Sequence, residues 1–137
     1  MFIYAARHAG AVFRTPSINI YTRNLNHLIE FYESVGFRQT FRTPKLGEPD
    51  HVELKLDQFT MGIATVKAAV SYHSLNPNLG GRPFEIVLWS DDTDRAFACL
   101  TARGAPSLSP PHDFLGVLRA AWVADPDGNP IQLVQHR

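Results

Sequence analysis

The sequence predicts an α+β protein built from two repeated βαβββ modules, and three observations carry that prediction. A strand-period stretch runs straight into a helix-period stretch and is followed by three more strands. The same order recurs later in the chain. The chain then closes on Asp125-Pro126-Asp127-Gly128-Asn129, a run of turn-forming residues that leads into the strand-like Ile131-Gln132-Leu133-Val134. With 137 residues and 45% hydrophobic content, the chain fits a single compact domain rather than two independent ones.

Residues 1–14 are apolar, but Arg7 and His8 interrupt them, so they read as an N-terminal arm rather than a secretion signal. Residues 17–22 alternate as a half-buried strand does, with Ile18 and Ile20 on one face and Ser17, Asn19 and Tyr21 on the other. Asn24 is placed to cap a helix in which Leu25, Leu28, Ile29, Tyr32 and Val35 recur at helical spacing, and Gly36 stops it. Residues 37–42 read as a strand and 44–49 as a loop. Residues 51–56 form a strand with Val52, Leu54 and Leu56 toward the core, and Asp57-Gln58 turns the chain into a strand over 59–66. The first module therefore spans 15–66. A connection follows over 67–81, rich in Asn, Pro, Gly and Ser near its end.

The second module, 82–137, repeats the pattern. Residues 84–89 form a strand, Asp92 caps a helix containing Ala96, Phe97, Leu100 and Ala102, and Gly104 ends it. Residues 106–112 are a Pro-rich edge strand, and 117–124 lead into the closing hairpin. Cys99, among apolar neighbours, is expected to be a small buried hydrophobe rather than a nucleophile. A constant shift of 68 residues pairs Ile18 with Ile86, Asn24 with Asp92, Gly36 with Gly104, Asp57 with Asp125, Ile63 with Ile131 and Val66 with Val134. These matches fall at a cap, a helix stop, a hairpin turn and a last strand, positions with different physical demands.

Paired βαβββ modules, Phe31-Tyr32 followed by Gly36-Phe37, and the terminal Asp-Pro-Asp-Gly-Asn turn together resemble the vicinal oxygen chelate superfamily over about residues 17–136. That superfamily includes glyoxalase I, extradiol dioxygenases, fosfomycin-resistance proteins and bleomycin-binding proteins. The resemblance implies eight strands curled as an open mixed sheet around a cleft, commonly completed by a second subunit, so a homodimer is expected. In metal-using members the ligands come from the start of the first strand and the middle of the last strand of each module. Carried over, those positions are Ser17, Ala64, Glu85 and Gln132. A catalytic divalent metal needs three or four good donors, and only Glu85 is one. No metal or other cofactor is expected, although His51 or His112 would be the residues to complete a weak site with Glu85.

Strand parity supplies the cleft lining. It sends Ser17, Asn19, Tyr21, Glu85, Val87 and Trp89 inward from the two first strands, with His51, Glu53 and Lys55 from the third strand. The same rule sends Arg119, Ala121 and Val123 inward from the matching strand of the second module, Gln132 and Val134 from the last, and Trp122 to the core. Tyr21 and Trp89 would stack on a flat ligand while His51, Glu85, Arg119 and Gln132 orient polar groups, and Glu85 with Arg119 is also a candidate ion pair. Thirteen basic and thirteen acidic side chains cancel, which argues against nucleic acid or an anionic membrane as partner. A lone cysteine and the lack of a spanning apolar run make a cytoplasmic location the expectation. Two functions follow: a metal-free protein that sequesters a planar or amphipathic compound in a dimeric cleft, or a lyase or isomerase with Glu85 as general base. A third reading is an interaction module whose cleft has lost its ligand.

Overall fold

The computed structural model describes residues 15, 17–81 and 84–137; the arm expected over residues 1–14 lies outside them. In the first module β1 (Ile18–Thr22) leads to α1 (Leu25–Ser34), β2 (Arg38–Thr43), β3 (His51–Leu56) and β4 (Phe59–Thr65). α2 (Val66–His73) follows with no intervening residue. The second module comprises β5 (Ile86–Trp89), α3 (Thr93–Ala102), β6 (Ser107–Phe114), β7 (Leu118–Ala124) and β8 (Pro130–His136). Each module forms its own mixed four-stranded sheet, ordered β1-β4-β3-β2 and β5-β8-β7-β6, and the two do not close into a barrel. In each sheet the module's first strand runs parallel to its last.

The modules share local devices at the expected spacing. The Thr22 hydroxyl accepts the Asn24 amide at 2.8 Å, and the Ser90 hydroxyl accepts the Asp92 amide at 3.0 Å. Both helices end with an amide reaching back five residues, Phe37 to Tyr32 and Ala105 to Leu100, each at 3.0 Å. Gly36 and Gly104 make those ends possible with φ of 112° and 103°, a region that side chains disfavour. Asp92 caps α3 by accepting the Arg95 amide at 3.0 Å, but Asn24 makes no such bond. Its side chain reaches instead to Asp127 Oδ1 at 3.4 Å.

Two expectations change here. The connection begins with a helix, because the Thr65 hydroxyl accepts the Ala68 amide at 3.0 Å and starts α2, whose Ala68 and Ala69 are buried. Cys99 is exposed rather than buried; the residue beside it, Leu100, is the one α3 turns inward.

One apolar cluster serves both modules. Ile20, Leu28, Tyr32, Val52, Leu54 and Ile63 meet Ile86, Leu100, Val123, Ile131 and Leu133 on the helix side of the sheets. Burying each large aliphatic side chain contributes about 1.5–3 kcal/mol. Within that cluster Tyr32 is fully buried, and its hydroxyl donates to Asp125 Oδ2 at 2.6 Å. The same carboxylate accepts the amides of Asp127 and Asn129, both at 2.9 Å, and the Asn129 side-chain amide at 2.7 Å. The closing turn thus folds around its own acid and presents that acid to the helix of the other module.

The repeat is not gapless. Asn19 lies opposite Gly62, whereas its counterpart Val87 lies opposite Gln132, so β4 and β8 are offset by 70 residues rather than 68. Val52 faces Ile63 and Ala121 faces Leu133, which offsets β3 and β7 by 69. One extra residue sits in the turn: Asp57-Gln58 links β3 to β4, but Pro126-Asp127-Gly128 lies inside the bonded pair Asp125 and Asn129. The other enters ahead of β7, where β6 breaks register between Ser107 and Ser109 and again between Ser109 and His112.

Candidate functional site

A one-residue slip turns every side chain of a strand to the opposite face, and β7 shows the result. Ala121 and Val123 pair with Leu133 and Ile131 on the core side, so Arg119 shares that side instead of entering the cleft. Its guanidinium donates to both oxygens of Asp94, at 3.0 and 2.8 Å, and to Asp113 at 3.1 Å; Asp113 also pairs with Arg137. The expected pair with Glu85 does not form. The hydrogen bond from Arg119 holds the Asp94 carboxyl below its ordinary range, and those from Arg137 and then Arg119 do the same for Asp113. Those carboxylates raise the Arg119 guanidinium in turn. This cluster is structural and lies away from the cleft.

The slip brings Trp122 out of the expected core and onto the cleft face, opposite Gln132. Its indole N–H donates to Glu85 Oε1 at 2.9 Å. His112 stacks on the indole at 5.9 Å between centroids and 18° between planes, and its Nδ1 donates to the Pro110 carbonyl at 2.8 Å. Pro110 and Pro111 lie within the register break of β6, and that irregularity sets His112 against Trp122. Trp89 stacks on His136 at 4.6 Å and 18°. Both tryptophans therefore lie parallel to an imidazole, with Glu85, Gln132 and Val87 beside them on the same face. Strand parity identifies Trp89, Glu85 and Gln132 on this face but not Trp122 or His136, and His112 enters the sequence reading only as a residue to complete a weak metal site with Glu85. The signal available for the missed residues was the Pro-Pro pair, which marks an irregular strand without saying how many residues it adds.

In the first module Asn19, Tyr21 and His51 come together as expected. They line a cavity of about 510 Å³ with Ala64, Thr43, Asp50 and residues of α2, Tyr72 among them. Gly62, the counterpart of Gln132, is buried beneath Asn19 and His51. A Cβ there would lie 2.0 Å from Asn19 Oδ1 and 2.9 Å from His51 Cε1, so these two side chains occupy the space of the missing one. Ser17 is exposed just ahead of β1 and makes no hydrogen bond among the described residues. Glu85 and Trp89 line a separate cavity of about 550 Å³ with Phe37, Phe59 and Ile18. Within one chain Asn19, Tyr21 and His51 thus line one cavity and Glu85 and Trp89 another, while Ser17, Arg119 and Gln132 line neither.

The donor set does not fit a divalent metal. The ligand positions hold Ser17, Gly62 (or Ala64 by the uniform shift), Glu85 and Gln132, so only one of the four is a good donor, where three or four are needed. Among the described residues no cluster of three His, Cys, Asp or Glu side chains is placed to hold one.

Two βαβββ modules, each with its first strand parallel to its last, define a paired-module fold. The sequence matches the Glyoxalase/Bleomycin resistance protein/Dioxygenase superfamily over residues 14–133, and the chain belongs to that superfamily. No curated protein matches it in sequence. Similar solved structures include a hypothetical protein from S. aureus, at 18% identity and a TM-score of 0.74 over 90% of this chain and 95% of that one. A glyoxalase/bleomycin resistance protein/dioxygenase from Nocardioides has 17% identity and a TM-score of 0.70 over 99% and 93%. Lactoylglutathione lyase from Agrobacterium tumefaciens has 15% identity and a TM-score of 0.67 over 90% and 95%. At these identities the likeness is one of fold.

Proposed function

We propose that the protein is a metal-independent binder of planar or amphipathic small molecules, and that a second copy completes its cleft. The observation that carries this reading is the second-module face, where Trp122 and Trp89, each backed by an imidazole, stand beside Glu85 and Gln132. Large flat side chains with few polar groups suit an aromatic ligand, which stacks on the rings while the carboxylate and amide orient it. Trp89 is 59% exposed and Val87 45% exposed, an apolar surface that a partner subunit or a ligand would cover. Among the described residues Glu85 hydrogen-bonds to the Trp122 indole alone, which fixes the carboxylate beside the ring and suits an anchoring role.

Titration with 9-aminoacridine, a planar amphipathic dye, followed by tryptophan emission tests the reading. Saturable binding is expected, about tenfold weaker or more in Trp122→Ala and in Trp89→Ala. Absence of saturation, or affinity indifferent to both changes, overturns it. Sedimentation equilibrium should show a dimer. Turnover of a glyoxalase-type substrate that disappears in Glu85→Gln would favour the lyase or isomerase alternative.

A further inference from the structure

The cavity roofed by α2 belongs to the first module alone, and its chemistry differs from that of the second-module face. Its lining is Asn19, Tyr21, His51, Ala64, Asp50 and Tyr72 with neighbouring residues, and it includes no lysine or arginine among the described residues. Asp50 is the one carboxylate of that lining, and its backbone is held on both sides. The Asp50 amide donates to the Thr43 carbonyl at 2.8 Å, and the Asp50 carbonyl accepts the Thr65 amide at 2.9 Å. Its Oδ2 accepts the Tyr72 hydroxyl at 3.2 Å, which ties the roof helix to the sheet and raises the Tyr72 phenol above its ordinary range. Oδ1 has no partner among the described residues.

The floor is closed as well. Asn19 and His51 fill the space over Gly62, so a ligand entering here meets the amide and imidazole rather than backbone. A fixed carboxylate with a free oxygen and two phenol rings, beside the imidazoles of His51 and His73 but with no lysine or arginine in the lining, form a setting in which a positively charged nitrogen is favoured twice, by charge and by ring quadrupoles. An anion would find donors in the Asn19 amide and in the imidazoles of His51 and His73, but the Asp50 carboxylate would repel it.

From this arrangement we propose that the α2 cavity binds an organic ammonium group, held by Asp50 Oδ1 between Tyr21 and Tyr72. The inference rests on the reading of the concave faces as ligand surfaces and names the chemical class that the first-module half takes. The placement makes Asp50, Tyr21 and Tyr72 specificity residues, and α2 a wall of the site in addition to its role as a connection.

Choline and 3,3-dimethylbutan-1-ol have nearly the same shape and differ in charge, so they serve as probes in an NMR titration of the full chain. Choline should shift the signals of Tyr21, Asp50 and Tyr72 saturably, and the neutral alcohol should bind about tenfold more weakly or worse. Asp50→Asn should reduce choline affinity by a similar factor while thermal unfolding shows an intact fold. Equal affinity for the two probes, an undiminished response in folded Asp50→Asn, or no shift at Tyr72 overturns the proposal. The probe comparison on the unaltered protein decides the matter if Asp50→Asn does not fold. The indole N–H signals of Trp89 and Trp122 report the other half-site independently. If they respond to 9-aminoacridine while choline leaves Tyr72 unmoved, the ammonium proposal fails and the cleft reading survives.

Discussion

The two modules end in hairpins that solve the same problem differently. The first closes with Asp57-Gln58, where Asp57 takes a left-handed φ of 52° and, among the described residues, no hydrogen bond from its side chain supports the turn. The second closes around Asp125, which is buried and satisfied by four donors, one of them from the opposite module. One acid is a local turn former. The other is an interlock, and the extra residue in its loop makes room for that role. The concave faces differ in parallel: the first is built over a glycine and polar side chains, the second over two indoles.

The sharpest way to break the comparison is to remove both acids in turn. Asp125→Ala should cost about 3–5 kcal/mol, since it leaves the Tyr32 hydroxyl and the turn amides without their acceptor. Asp57→Ala should cost about 1 kcal/mol, from placing alanine in the left-handed region. Urea unfolding of the two variants checks the difference, and similar losses would mean that Asp125 is no interlock.

Gly62→Ala comes next, at about 1–3 kcal/mol from overpacking against Asn19 and His51. Most of that loss should return in the double variant Asn19→Ala/Gly62→Ala, measured by thermal unfolding. The absence of any rescue would show that Asn19 is not the obstacle.

Tyr32→Phe should cost about 1–2 kcal/mol and also alter the alkaline limb of stability. Burial, then the Asp125 charge and hydrogen bond, push the Tyr32 phenol far above its ordinary value of 10.0. Its contribution is therefore complete at neutral pH. Above about pH 10 the unfolded chain releases this proton while the folded chain retains it, so stability should fall by about 1.4 kcal/mol per pH unit. Denaturant midpoints across that range should lose this component in Tyr32→Phe. The smallest effect is expected from Arg119→Gln, which should leave 9-aminoacridine affinity within about twofold because the side chain lies on the helix face. A large loss of affinity would return Arg119 to the cleft.

Much of this molecule is legible without coordinates. The helix of each module, its glycine stop, the succession of strand, helix and three strands, and the side of the strand that carries Asn19, Tyr21, Glu85, Trp89 and Gln132 follow from periods of 3.6 and 2 and from turn chemistry, whereas the order and direction of strand pairing do not. Gln132 was placed on the correct face for an incomplete reason, since two single-residue insertions restore the parity that one destroys. Arg119 and Trp122 lie between those insertions, and there the even repeat misleads.

The sequence by itself determined the paired modules, because propensity, capping and amphipathic period are local and each leaves a mark within a few residues. Only the tertiary structure decided which face β7 presents, that α2 roofs the first half-site, and that Asp125 joins the modules. Each of those depends on pairing between residues distant in the chain, where a single inserted residue reverses a strand and no local pattern records it.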